Sequence, residues 1–324
     1  MLNERLSATG RRTRDFRSLK VHPVKVVIAG GSGALGKRLA DDLAERGDQV
    51  VILTRTPRPG AHRQVQWDGR TVGDWARELE AAAVVNLAGE LVDRRPTARN
   101  IALLRSSRVE PTLALAAAAR TLAEPVPVWV QASTLAIHGD SGEAELDESS
   151  APADEPPQMA GVARAWEHAA RDVRAERAVV LRTGIVLDRH TPALDRLAGL
   201  ARWGLGGRIG NGRQWVSWIH IADWLAIVRV ALDGPLSGVL VATSPQPVRN
   251  VELMAALRRA VRRPAAPPTP ALVVKSGAVL LRTDPALALT GRRATPKRHP
   301  RCRLYLQLSP DHRGPRGPAD LTRL

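Results

Sequence analysis

Apolar residues run without alternation from Val26 to Ala29, from Val50 to Leu53 and from Ala82 to Val85. Short uninterrupted runs of this kind are what strands covered on both faces require. Val126–Ser133 and Ala178–Arg182 read the same way, and a shorter strand falls near Arg63–Trp67. Between these runs lie helical segments: Lys37–Leu43, Val72–Glu80, Thr97–Ala123 and Gln158–Glu176. Pro111 marks a kink or a new start in the third of them. Strands alternating with helices predict an α/β fold, a doubly wound parallel sheet. Gly139–Pro157, rich in acidic residues, Ser, Gly and Pro, reads as an exposed loop. Beyond Gly184 the pattern loosens. Helices near Ile221–Leu232 and Asn250–Val261, a proline-rich break over Arg263–Pro270 and a last helical stretch near Leu272–Leu281 predict a smaller C-terminal lobe. The chain thus divides into a basic extension (1–23), a doubly wound Rossmann domain (24–190), a substrate-side lobe (191–298) and an irregular basic tail (299–324).

The first strand runs into Gly30-Gly31-Ser32-Gly33-Ala34-Leu35-Gly36 and then into an amphipathic helix. Glycines three apart allow a tight turn, close approach of main chain to a pyrophosphate and close helix–strand packing. The helix that follows aims its unpaired N–H groups and positive dipole end at phosphates. A glycine triplet alone is also what a plain turn produces. The strand before it, the helix after it and the second strand from Gln49 favour a dinucleotide site. Candidate cofactor contacts here are Gly30, Ser32, Gly33, Ala34, Leu35 and Gly36. The second strand ends at Thr54-Arg55. An acidic residue there would grip the ribose 2′-hydroxyl of NAD, whereas arginine accommodates a 2′-phosphate, so Thr54 and Arg55 favour NADP(H). The plainer reading of Arg55 is a solvated loop charge. Leu87, Ala88 and Gly89 fall beyond a strand's carboxyl end, where such sheets hold ligands.

The formal charge of +16 over 324 residues raises the question of nucleic acid. Residues 1–25 carry a net +5 and residues 291–324 a net +7, so the body carries only +4. Phe16 and Tyr305, the single Phe and Tyr, lie in those ends, and Trp67, Trp75, Trp129 and Trp166 are spread among different elements as core fillers. A base-stacking platform would rank its aromatics along one strand, so no nucleic-acid partner is expected. No apolar run is long enough to span a bilayer, and the start lacks the apolar segment of a secretory signal. One cysteine, Cys302, excludes an internal disulfide and fits a reducing cytoplasm. No His/Asp/Glu spacing suggests a metal site.

The glycine turn, Asn86-Leu87-Ala88-Gly89-Glu90, Ser107-Arg108-Val109, Leu181-Arg182-Thr183-Gly184-Ile185-Val186-Leu187, Gly204-Leu205-Gly206-Gly207 and Gly212-Arg213-Gln214-Trp215-Val216-Ser217-Trp218-Ile219-His220-Ile221 together resemble the extended short-chain dehydrogenase/reductase superfamily. Within its NAD(P)-dependent epimerase/dehydratase group, the chain resembles an atypical branch with a small C-terminal domain of unknown function. Members of that branch are described as nucleoside-diphosphate-sugar epimerases or cell-division-inhibitor-like proteins. The resemblance covers about residues 24–298. It implies bound NADP(H), with Arg108 near the cofactor and the backbone of Ile185 and Val186 near the nicotinamide. Arg108 reads equally as a helix-surface charge.

The superfamily's chemistry uses a Tyr–Lys pair four residues apart with a serine nearby, the lysine lowering the phenol's pKa. Here the equivalent places look like Met159 and Ala163, and neither moves a proton. The atypical branch lacks the pair too. Ser133, at the end of the fifth strand, can hydrogen-bond a carbonyl, and His138, five residues on, titrates in the useful range, so these two are the catalytic candidates. His220 reads as structural, with Asp223 capping the following helix. Glu90 is a base or a loop carboxylate, and the sequence does not decide. After Pro296-Lys297-Arg298 the family would finish with an amphipathic helix. The Pro/Gly/Arg-rich run from His299 reads instead as the product of a reading-frame shift, a disordered tail.

The sequence therefore predicts a cytoplasmic NADP(H)-binding epimerase- or oxidoreductase-like protein acting on a small polar or sugar-nucleotide-like molecule. The alternative is a non-catalytic NADPH-binding sensor or scaffold. No membrane partner is expected, and the oligomeric state is left open.

Overall fold

Val26, Val27, Ile28 and Ala29 have no exposed surface at all, because their strand lies between two others and is covered on both faces. A computed structural model describes residues 23–189 and 191–298. The readings made on the basic extension and on the C-terminal tail, with Phe16, Cys302 and Tyr305, lie outside the described residues.

The elements follow in chain order: β1 (Lys25–Ala29), α1 (Ala34–Glu45), β2 (Gln49–Thr54), β3 (Arg63–Gln66), β4 (Ala83–Asn86), α2 (Ala98–Thr121), β5 (Trp129–Thr134), β6 (Glu145–Leu146), α3 (Val162–Ala169), β7 (Ala178–Thr183) and β8 (Ile185–Leu187). Then come α4 (Pro192–Arg202), β9 (Trp215–Val216), β10 (Trp218–His220), α5 (Ile221–Asp233), β11 (Gly238–Ala242), β12 (Val248–Arg249), α6 (Asn250–Ala260), α7 (Ala271–Leu280), α8 (Ala286–Leu289) and β13 (Arg293–Ala294). Seven strands form one sheet in the order β11-β7-β5-β4-β1-β2-β3. Every pairing in it is parallel. The chain winds outward from β1 to β3, then returns past β1 to β4 and winds the other way. The reversal therefore falls between β1 and β4, the place where doubly wound sheets bind ligands.

One face of the sheet packs on α1 and α5 through Leu39, Leu43, Trp224 and Val228. The other carries Leu79, Leu115, Ala118 and Trp129. A third cluster, around Leu187, Trp218, Leu253 and Met254, is the core of the C-terminal lobe. The lobes interleave along the chain, since α5 and β11 return from the second half to complete the sheet layers. Among the described residues no helix is long and apolar enough to cross a membrane.

Four local expectations differ from what forms. The Thr97–Ala123 segment is a single helix of 24 residues that runs through Pro111 and is capped by the Thr97 hydroxyl, which accepts the Asn100 N–H at 3.3 Å. Val72–Glu80 shortens to a six-residue 3₁₀ turn, Asp74–Leu79. Gln158–Glu176 becomes a π-helical turn at Pro157–Gly161 followed by α3, which stops at Ala169. Val173 and Ala175 leave the helical path to pack beneath the sheet, and Arg174 donates to the carbonyls of Leu122 and Ala123. Gly139–Pro157 is not wholly exposed. It contains β6, pairs in parallel with β13, and buries Leu146 and Asp147. A strand partner about 150 residues away has no local sequence signal.

Trp129 is fully buried, and its Nε1 donates to Gln131 Oε1 at 3.2 Å. Trp129→Ala is expected to lower stability by about 3–5 kcal/mol in urea denaturation, through lost burial and a residual cavity. A loss under about 1 kcal/mol would contradict this placement of the core.

Candidate functional site

The carboxyl ends of β1, β2, β4, β5 and β7 open on the same edge of the sheet, and the candidate residues lie there. Gly30, at φ +78°, sits so close to the main chain after β4 that a Cβ on it would stand 2.8 Å from Leu87 C and O. A Cβ on Gly36 would stand 2.5 Å from Gly30 O. Gly33 N–H donates to Gly30 O at 3.0 Å, which closes the turn. The amides of Ala34, Leu35 and Gly36 form the first turn of α1 and have no partner within the helix. Ser32, Gly33 and Ala34 are exposed, so the turn offers bare main chain to a ligand.

The segment after β4 is held from behind. Buried Asn86 donates to Thr112 Oγ1 (2.8 Å) and Gln131 Oε1 (3.1 Å), and its own oxygen accepts the Ala88 N–H at 3.1 Å. Arg108 donates to Glu90 O (2.8 Å) and Leu104 O (3.1 Å) and lies 5.2 Å from the Trp166 ring. Burial pulls its pKa down to about 10. Its guanidinium would stand 3.1 Å from a Cβ on Gly89. Arg108 is therefore neither a surface charge nor a free cation; it clamps the Gly89–Glu90 backbone. Ser107 Oγ accepts the Glu90 N–H at 3.1 Å. Arg55, by contrast, is largely exposed, with Nη2 3.6 Å from Glu90 Oε1. Thr54 beside it is buried.

At the end of β5 the structure brings together groups far apart in sequence. Ser133 Oγ donates to Glu167 Oε1 at 2.5 Å. Arg182, from β7, donates to both oxygens of the same carboxylate at 2.9 Å, a bidentate pair largely removed from water. His138 is 5% exposed; its Nδ1 lies 3.0 Å from Ala151 O and its Nε2 3.5 Å from Arg182 Nη1. These contacts fit a neutral ring with the proton on Nδ1 and the Nε2 lone pair facing the guanidinium. Burial pushes the pKa of His138 down, and the charges of Arg182 and Arg292 act in the same direction. Thr134 differs from its neighbour. Its Oγ1 accepts the Ala136 N–H at 3.1 Å, and among the described residues its own proton has no acceptor.

Glu167, Arg182 and Thr134 were not singled out by the sequence. Glu167 stands one helical turn beyond Ala163, and a carboxylate on that face was the available signal. Met159 and Ala163 are buried, 5% and 1% exposed. Ile185 and Val186 lie in β8, with Ile185 N–H donating to Ser217 O at 2.9 Å. A Cβ on the preceding Gly184 would stand 2.7 Å from Ser217 O. His220 is itself the cap of α5, its Nδ1 accepting the Ala222 N–H at 3.2 Å, while Asp223 lies in the first turn. A cavity of about 790 Å³ runs along the flank of β3, between Arg63, Trp67 and Trp75. It shares Arg55 with the site but contains none of the glycine-turn main chain. No group of three or more metal-binding side chains occurs among the described residues.

A parallel sheet that reverses at a glycine turn, with polar side chains gathered beyond β5, defines a short-chain dehydrogenase/reductase-like nucleotide fold. A profile of the NAD dependent epimerase/dehydratase family matches residues 26–240, and the chain belongs to that family. It is 36% identical over 284 residues to the bovine epimerase family protein SDR39U1, covering 85% of this chain and 92% of that one. It superposes on the crystal structure of human epimerase family protein SDR39U1 (isoform 2) with NADPH at a TM-score of 0.77 and 32% identity, covering 93% and 98% of the two chains. A UDP-glucuronic acid 4-epimerase from Bacillus cereus, solved with UDP-glucuronic acid and NAD, superposes at 0.70 over 93% of this chain and 97% of that one. At 16% identity that likeness shows the fold alone.

The depressed His138 pKa has a sign that can be checked. A histidine held neutral in the fold contributes stability above its ordinary value of 6.5, and this is lost as pH falls below that value toward the folded pKa. Unfolding free energy is expected to decline below about pH 6.5, and His138→Asn, which keeps a donor near Nδ1, is expected to remove that component of the decline. Parallel curves for the two proteins between about pH 7 and 5 would contradict it.

Proposed function

We propose that the chain binds NADP(H) across the β1/β4 reversal and acts as an epimerase- or oxidoreductase-like protein on a small polar or sugar-nucleotide-like substrate. The observation that carries this reading is the main-chain cradle at Gly30, Gly33 and Gly36, where a Cβ on Gly30 or Gly36 would fall within 3 Å of neighbouring backbone. NADPH in the human relative's structure supports the same reading. The amides of Ser32–Gly36 would face the pyrophosphate, with Leu87–Gly89 opposite. Thr54 and the exposed Arg55 would meet the 2′-phosphate, and Ile185–Val186 would border the nicotinamide. Arg108 serves by fixing the Gly89–Glu90 wall.

A bound nicotinamide supplies hydride donation and acceptance. The protein's share is to hold the substrate's oxygen and manage its proton. Thr134, whose hydroxyl proton has no acceptor among the described residues, donates to a substrate carbonyl. Ser133 and His138 support it: Glu167 holds the Ser133 proton, and Arg182 faces the His138 lone pair. Residues 24–190 supply most of the cofactor contacts and residues 191–298 the substrate side.

One observation favours a second reading, a non-catalytic NADPH-binding protein. Met159 and Ala163, where a Tyr–Lys pair would stand, are buried and cannot transfer protons.

Calorimetry tests the proposal. The protein is expected to bind NADPH, Gly36→Val to abolish binding, and Arg55→Asp to weaken NADPH about tenfold or more with NADH little changed. Binding of neither cofactor by folded protein would overturn the proposal, and a native preference for NADH would overturn the role of Arg55. Absence of deuterium transfer from labelled NADPH to a panel of carbonyl compounds and sugar nucleotides would select the second reading.

A further inference from the structure

Arg55 and Glu90 follow strands that are not neighbours. β1 lies between β2 and β4, with Ala29 paired to Leu53 on one side and to Asn86 on the other. Arg55 comes just after β2 and Glu90 a few residues after β4. Their ion pair, Arg55 Nη2 to Glu90 Oε1 at 3.6 Å, therefore reaches across the end of β1, where the glycine turn begins. Among the described residues Glu90 is the one carboxylate within 4 Å of the Arg55 guanidinium.

The two partners are held very differently. The main chain of Glu90 is fixed on both sides: its N–H donates to Ser107 Oγ at 3.1 Å, and its carbonyl accepts from Arg108 Nη2 at 2.8 Å. Its second carboxylate oxygen accepts from Arg94 Nη2 at 3.1 Å. The Arg94 carbonyl in turn accepts from buried Gln158 Nε2 at 2.8 Å, so that neighbour is anchored too. The side chain of Arg55 is 76% exposed, that of Glu90 only 32%. A contact of 3.6 Å is an ionic attraction and not a hydrogen bond, and a pair this open to water is weak. A phosphate offers the same guanidinium shorter, bidentate, charge-assisted bonds. Arg55 can thus turn to a phosphate, while Glu90 keeps its place with Arg94 as its counter-charge.

We propose that Glu90 sets the cofactor preference of the site by competing with the 2′-phosphate of NADP(H) for Arg55. NADP(H) has to take the guanidinium from a carboxylate fixed on the opposite wall of the cleft. NAD(H), with a hydroxyl at that carbon, breaks no such contact. Glu90 is a specificity-determining residue that holds the preference for NADP(H) below what Arg55 alone would give. The inference rests on the reading of Arg55 as the residue that meets the 2′-phosphate.

NADPH and NADH are titrated calorimetrically into wild type, Glu90→Gln, Arg55→Gln and the double variant. Glutamine keeps the length of the side chain and an oxygen for Arg94 but removes the charge. Glu90→Gln is expected to bind NADPH about two- to fivefold more tightly than wild type, the gain that releasing a weak ion pair allows. NADH binding is expected to stay within about 1.5-fold of wild type, which also shows an intact cleft. In the Arg55→Gln background the same change is expected to leave NADPH binding unaltered, since no guanidinium remains to compete for. Unchanged or weaker NADPH binding in Glu90→Gln, a shift in preference that comes from NADH alone, or equal tightening with and without Arg55 would overturn the role of Glu90. Failure of Arg55→Gln by itself to weaken NADPH would instead overturn the arginine reading beneath it.

Discussion

The structure depends on three lengths of main chain meeting where no side chain fits. Gly30 lies against the backbone of Leu87, and Gly36 brings α1 down onto Gly30. Any Cβ at Gly30 or Gly36 would fall inside contact distance of main-chain atoms, which cannot swing aside as a flexible side chain can. The consequence is geometric. The first turn of α1 is held at the mouth of the sheet, with its amides and positive dipole end directed at the reversal point between β1 and β4. The buried Asn86–Thr112–Gln131 network and the Arg108 clamp fix the opposite wall at Ala88–Glu90. The walls of the cleft are thus set by backbone and buried polar groups rather than by mobile surface side chains.

The polar end of the cleft is built on a different principle. Glu167 and Arg182 form a bidentate pair between a helix and a strand, and removing one partner from such a pair costs about 3–5 kcal/mol because the other charge stays buried. The pair fixes its neighbours' protons. Ser133 donates its hydroxyl hydrogen bond to the carboxylate, and His138 Nε2 faces the guanidinium. Thr134 Oγ1 accepts the Ala136 N–H, and among the described residues its proton has no acceptor. Position 159 is a methionine, and Arg292 lies against it.

Most of the sheet was legible in the sequence because fully buried parallel strands write themselves as uninterrupted apolar runs, and the Gly30–Gly36 turn sits at the first of them. The family resemblance also pointed correctly to the epimerase/dehydratase group. What the sequence did not reveal is long-range. The β6–β13 pairing joins residues about 150 apart, the Glu167–Arg182 pair joins α3 to β7, and Arg292, just before β13, reaches Met159 from near the end of the described chain. Arg108 looked equally like a surface charge, since its burial is decided by Trp166 and Gly89, which come from two other elements. His138 was attractive as an acid or base from its residue type alone; only its two ring contacts show how its protons are committed.

Backbone amide chemical shifts recorded during titration with NADPH test the central claim most directly. The account predicts that the largest changes fall on Ser32–Gly36 and Leu87–Gly89, the main chain on either side of the reversal point. Changes concentrated instead along Arg63–Glu78, beside the β3 cavity, would contradict it.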